Sequence, residues 1–186
     1  MLRNRIGKSF HGFPIAYVHN PAHETTNNVT TVALLADVLG QGAILLEGDV
    51  LFSEGLLPAL LQGGADSARW AVSPWRRELD GCRMIAGPDG RIRTLDILRT
   101  PTEPAHGWFK SVGILALPQE AGRRLAMAAR ACWDAGRTDI YYDLVMKDLF
   151  PSLPVLAVNV DVHPWMEVDD EADLLRAGKM AAGWRT

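Results

Sequence analysis

The sequence predicts an α/β sandwich with a largely parallel sheet, and three observations lead there. Short, almost wholly apolar runs alternate with amphipathic ones. Gly and Pro punctuate the chain at intervals that suit connections between short elements. One apolar run stops on a carboxylate at Gly48-Asp49, and a helix-like segment follows it.

Ala43 to Glu47 reads as a short apolar strand, and Ser53 to Gln62 as the next helix, with Ser53 in the capping position. RWAVS (69–73) and FKSVGILAL (109–117) are expected to be buried strands. Between them CRMIA and RIRTL flank GPDG, whose Pro and Asp-Gly supply turn geometry. A β-hairpin is expected there, as an excursion from the main sheet. Glu120 to Ala135 places Leu125, Ala128, Ala129, Cys132 and Trp133 at helical spacing. Tyr141 to Phe150 reads as a second short helix and Pro154 to Asp161 as a further strand. Asp170 to Met180 reads as a terminal helix, entered through acidic residues that suit its positive end. With no linker, repeat or low-complexity stretch, residues 1–186 read as a single domain.

A chain of 186 residues that is 48% hydrophobic and 22% charged can bury one substantial core. Its net charge of -3 supplies no basic field and its Lys and Arg are scattered, so nucleic acid is not expected as a partner. No apolar run approaches the roughly 20 residues that span a bilayer, so membrane attachment is not expected. Cys82 and Cys132 lack metal-ligand spacing and follow no secretory leader, which points to a reduced, cytoplasmic protein.

In open α/β sheets the ligand crevice lies at the carboxyl ends of strands, which is where Asp49 stands. A carboxylate there can ligate Mg²⁺, which takes one or two protein carboxylates and completes its shell with phosphates and water. Capping of the next helix is the alternative role. A second acidic group lies in WMEVDDEADLL, where Glu167 and Asp169 share one face of an extended segment and can reach a metal. Solvated charges at a helix start explain the same cluster.

NPAHETTNNVTT, ILLEGDVLF, FKSVGIL, YYDLV and WMEVDDEADLL follow one another in an order that resembles the sugar-phosphate-type nucleotidyltransferases. The likeness is greatest to the cytidylyltransferases that load phosphocholine or 2-aminoethylphosphonate onto CMP, and it runs from about Tyr17 to Ala177. It implies a Rossmann-like three-layer sandwich of the nucleotide-diphospho-sugar transferase type. By the resemblance, Asp49 and Asp169 hold a catalytic Mg²⁺ against the α-phosphate. Thr26, Asn27 and Asn28 lie along the base and ribose, with Gly48 beside them, although an Asn at this point is also a good helix N-cap.

Lys110 faces the phosphoryl group of the acceptor by the same likeness, where a strand lysine is otherwise a solvated surface residue. Tyr141, Tyr142 and Asp143 match a segment near the acceptor pocket, and aromatic faces with a carboxylate suit an ammonium group. Trp165 and Glu167 belong to the terminal motif and border that pocket, although an indole there also suits packing at the sheet edge. The implied partners are a nucleoside triphosphate, CTP favoured, and a small phosphorylated or phosphonate amine. The implied reaction is attack of the acceptor oxygen on the α-phosphorus with loss of pyrophosphate, driven by orientation and electrostatics.

The family's opening strand and its L-x-A-G-x-G-x-R loop do not occur in these 186 residues. Residues 1–10, MLRNRIGKSF, read as the helix that follows that unit, so an N-terminally truncated domain short of roughly 50 to 60 residues is expected. Such a sheet has an open edge to be covered by a homo-oligomer or by a complementing segment. The alternative to an enzyme is then a catalytically inactive paralogue that binds a ligand or completes a partner.

Overall fold

The structure, a computed structural model, describes residues 2–64, 66–100 and 102–184. The chain opens with α1 (Leu2–Ile6), a hairpin of β1 (Ser9–Phe10) and β2 (Phe13–Pro14), and then α2 (Asn28–Leu34) and α3 (Ala36–Leu39). β3 (Ala43–Leu46) and β4 (Val50–Phe52) precede α4 (Leu56–Leu61) and β5 (Ala68–Pro74). The hairpin of β6 (Gly81–Ala86) and β7 (Ile92–Leu98) leads to β8 (Trp108–Leu117), α5 (Gln119–Asp134) and α6 (Tyr142–Leu149). β9 (Val155–Asn159), β10 (Trp165–Glu167) and α7 (Glu171–Gly183) complete the chain.

The main sheet has six strands, in the order β7-β6-β8-β5-β9, with β3 also paired to β8. It is mixed rather than mostly parallel: β5 with β9 is the parallel pairing, while β8 runs antiparallel to β3, β5 and β6. A run such as VGILAL is apolar in either direction, so composition does not fix strand polarity. Polarity follows from the connection, and β8 is entered from the hairpin instead of through a helical crossover. The hairpin itself is not an excursion; β6 pairs β8 and forms one wing of the main sheet.

Alternation along β8 divides the interior into two layers. Leu115 and Leu117 face a core with α2, α3, α5 and α6, while Val112, Ile114 and Ala116 face one with Leu56 and Leu60 of α4. α5 presents Ala121, Gly122, Leu125, Ala126, Ala129 and Cys132 inward, at the spacing of one helical face. α4 starts at Leu56 with Gly55 as its cap, so Ser53 does not cap it. Its other end is held by buried Arg69, whose guanidinium donates to the carbonyls of Leu60 and Gln62.

β8 changes partner midway along one edge. Lys110 is opposite Arg83 of β6, and from Ile114 onward the same edge pairs β3. At the changeover β8 bulges: Trp70 is opposite Leu115 but Val72 is opposite Ser111. Gly113 takes φ +73 there, its N–H donates to Ser111 Oγ at 3.0 Å, and Trp70 Nε1 donates to the same oxygen at 2.9 Å. The sheet thus forks between the end of β3 and the start of β6.

Candidate active site

The fork opens a cavity of about 640 Å³. β3 delivers Glu47 to it and the following turn delivers Gly48 and Asp49. From β10 and the turn after it come Glu167 and Asp169. These two acidic segments lie together because β4 pairs β10, with Val50 opposite Glu167, and because Val168 N donates to Asp49 O at 2.8 Å. Asp49 and Asp169, 120 residues apart in a chain of 186, are therefore brought to one cavity on solvent-exposed turns.

Neither aspartate caps a helix. Asp170 caps α7 in a reciprocal capping box with Asp173, which leaves Asp169 outside the helix. Among the described residues, no three His, Cys, Asp or Glu side chains gather to hold a metal by themselves. A two-carboxylate pair on exposed turns nevertheless suits Mg²⁺ in its usual role, with phosphate and water as the remaining ligands.

Lys110 is 4% exposed and donates to Glu167 Oε1 at 2.5 Å. The expected acceptor-facing cation and Glu167 are thus partners, placed on the wall between two cavities. Burial raises the Glu167 pKa, and the Lys110 ammonium opposes that shift. Asp80, Glu167, Lys110 and Asp169 line both cavities, the second being about 480 Å³. Trp165 lines only the second, where it also packs against the core around α4.

Asn28 contributes through α6: its Oδ1 accepts from Tyr142 N at 2.8 Å, pinning the start of α6 to that of α2. Asn27 is the N-cap of α2, and Thr26 donates to Ala22 O at 2.8 Å; neither lines the larger cavity. Tyr141 lines it with its hydroxyl accepting from Arg99 at 2.7 Å. Tyr142 is buried, stacked on Trp70 at 6.1 Å between centroids, and donates to Glu47 Oε1 at 2.9 Å.

Glu47, which sequence reasoning read only as a strand end, is the centre of the inner wall. Burial first, and then the negative charge of Asp143, lift its pKa to about 7 against the lowering effect of the Tyr142 hydrogen bond. Asp143 is itself buried and raised by burial, against a hydrogen bond from Cys82. The charge of Glu47 in the otherwise apolar run AILLE was the available signal. Cys82, Asp80 and Arg99 had none, since the fork alone brings them in.

The fold recurs in solved structures. The match to the CTP:phosphocholine cytidylyltransferase of Streptococcus pneumoniae has a TM-score of 0.72, covering 97% of this chain and 72% of that one, at 13% identity. The match to the inositol-1-phosphate CTP transferase of T. maritima has a TM-score of 0.69, covering 96% and 70%, at 17% identity. The chain has the nucleotidyltransferase fold. In sequence, the chain is 32% identical over 183 residues to the CMP-5'-(3-aminopropyl)phosphonate synthase of Streptomyces rubellomurinus. That alignment takes in 95% of the chain and 29% of the length of the relative. No family model matches the chain.

Proposed function

We propose that the chain transfers a nucleoside monophosphate, CMP from CTP in the first place, to a small phosphorylated or phosphonate amine, with release of pyrophosphate. The observation that carries this reading is the meeting of Asp49 and Asp169 at one cavity, in a fold shared with cytidylyltransferases. The related CMP-phosphonate synthase supports the acceptor class.

In this reading an acceptor oxygen forms a bond to the α-phosphorus while the bond to the pyrophosphate oxygen breaks. Asp49 and Asp169 would hold Mg²⁺, which when bound neutralises phosphate charge. The Lys110–Glu167 pair fixes a cation beside the shared wall of the two cavities. No protein nucleophile is needed, and the contribution of the chain is orientation and electrostatics.

The test is pyrophosphate release from CTP and Mg²⁺ by residues 1–186, with 3-aminopropylphosphonate, 2-aminoethylphosphonate and phosphocholine as acceptors and ATP, GTP and UTP as controls. Acceptor-dependent release with CTP is the expected result. A second reading, a ligand-binding domain completed by another segment, is favoured by β3, which among the described strands pairs only β8. Folded protein that binds an acceptor yet releases no pyrophosphate from any of the four nucleotides would favour it.

A further inference from the structure

Glu47 stands in the fork in a way that the transfer reaction does not use. Its Oε1 accepts from Tyr142, and its carboxylate lies against the backbone of Gly113, where a Cβ would come within 2.6 Å of Oε2. Its own N–H donates to Gly113 O at 2.9 Å. Gly113 thus makes room for this side chain in the middle of a buried strand.

The other buried charges of the cavity have partners. Lys110 is taken by Glu167 and Asp143 receives the thiol of Cys82, while Asp49 and Asp169, the proposed metal ligands, stand exposed. Glu47 has no cation within ion-pair distance among the described residues, although it is half-buried and lines the cavity. Its single side-chain hydrogen bond leaves acceptor capacity on both oxygens. A cation supplied from the cavity favours the charged form of a carboxyl in such a place.

An acceptor of the class proposed above has an anionic end, which suits the metal position, and an ammonium at its other end. We propose that Glu47 contacts that ammonium and sets the preference for aminated over non-aminated acceptors. The assignment rests on the transferase reading for its choice of ligand, while its test reads binding and so stands apart from turnover.

Binding of 3-aminopropylphosphonate and of n-propylphosphonate is to be measured by calorimetry on the full chain, as wild type, Glu47→Gln and Tyr142→Phe. Wild type is expected to bind the aminated ligand roughly tenfold or more tightly than the other, the scale of a charged hydrogen bond. Glu47→Gln should erase that ratio with n-propylphosphonate binding unchanged. Tyr142→Phe, which frees the carboxylate without removing it, should reduce the ratio only in part, and it tests the assignment if Glu47→Gln does not fold. A ratio that survives Glu47→Gln, or a wild type that binds both ligands alike or neither, overturns the assignment. Discrimination in binding without nucleotidyl transfer would leave Glu47 its role and remove the proposed reaction.

Discussion

At the scale of single residues, the proton affinity of Glu47 links the cavity to stability. Its folded pKa of about 7 lies above the ordinary 4.5, so between these values the folded state holds a proton that the unfolded state has already lost. By linkage, stability of the metal-free protein falls as pH rises through that window, with a slope of at most about 1.4 kcal/mol per pH unit. Thermal melts between pH 5 and 8 without divalent metal should show this decline in wild type and a flatter profile in Glu47→Gln. Asp49→Ala and Asp169→Ala, on exposed turns, should leave the melting temperature close to wild type. Each should lower CTP-dependent pyrophosphate release by at least about a hundredfold, the scale of losing a main electrostatic contact in the transition state. Full activity in either variant would remove that residue from the metal site.

At the scale of elements, α5 packs closely on α3 at Gly122. A Cβ on Gly122 would run into the backbone carbonyl of Leu39, which cannot swing aside like a side chain. Gly122→Ala should therefore destabilise by about 1–3 kcal/mol despite its better helix propensity, read as a shift in urea midpoint. The same substitution at Gly178 of α7, where nothing stands within 4 Å, should be neutral or stabilising. α5, β5, β8, β9 and the β6–β7 hairpin were legible in the sequence, because each has a long periodic or apolar run with turn chemistry at its ends. β4 and β10 were not. They are three residues each and form only by pairing Val50 with Glu167 across the chain, a contact without local period. The polarity of β8 escaped because its run is uniformly apolar. Of the site, Asp49 and Asp169 were legible as ordered motifs, while Glu47 and Cys82 gained meaning only when the fork brought them together.

At the scale of the molecule, two cores on opposite faces of one sheet hold the cavity in place, and β3 has one edge without a described partner. Glu47 N–H points to β8, so by alternation the N–H of Leu46 points away from it, along the edge without a described partner. Leu46 is also 46% exposed. Such an edge invites pairing with another strand. Sedimentation of residues 1–186 at micromolar concentration should give a species heavier than the 20.4 kDa chain. Leu46→Pro, which takes away the outward N–H and leaves the N–H groups directed at β8, should shift it toward the monomer, and a wild type that is already monomeric would show that the edge is quiet.

The changeover along β8 also acts as a seam. On one side of it, β3, β4, β10 and the turns that follow β3 and β10 carry Glu47, Asp49 and Asp169; on the other, the β6–β7 hairpin and its flanks supply Asp80, Cys82, Ile97 and Arg99. The hairpin pairs β8 on one side of the bulge and β3 pairs it on the other, so exchanging the hairpin would change the wall of Asp80, Cys82, Ile97 and Arg99 while the pairings of β3, β4 and β10 stay in place. Grafting one wing at a time is thus a way to reshape one wall of the cavity and keep the other.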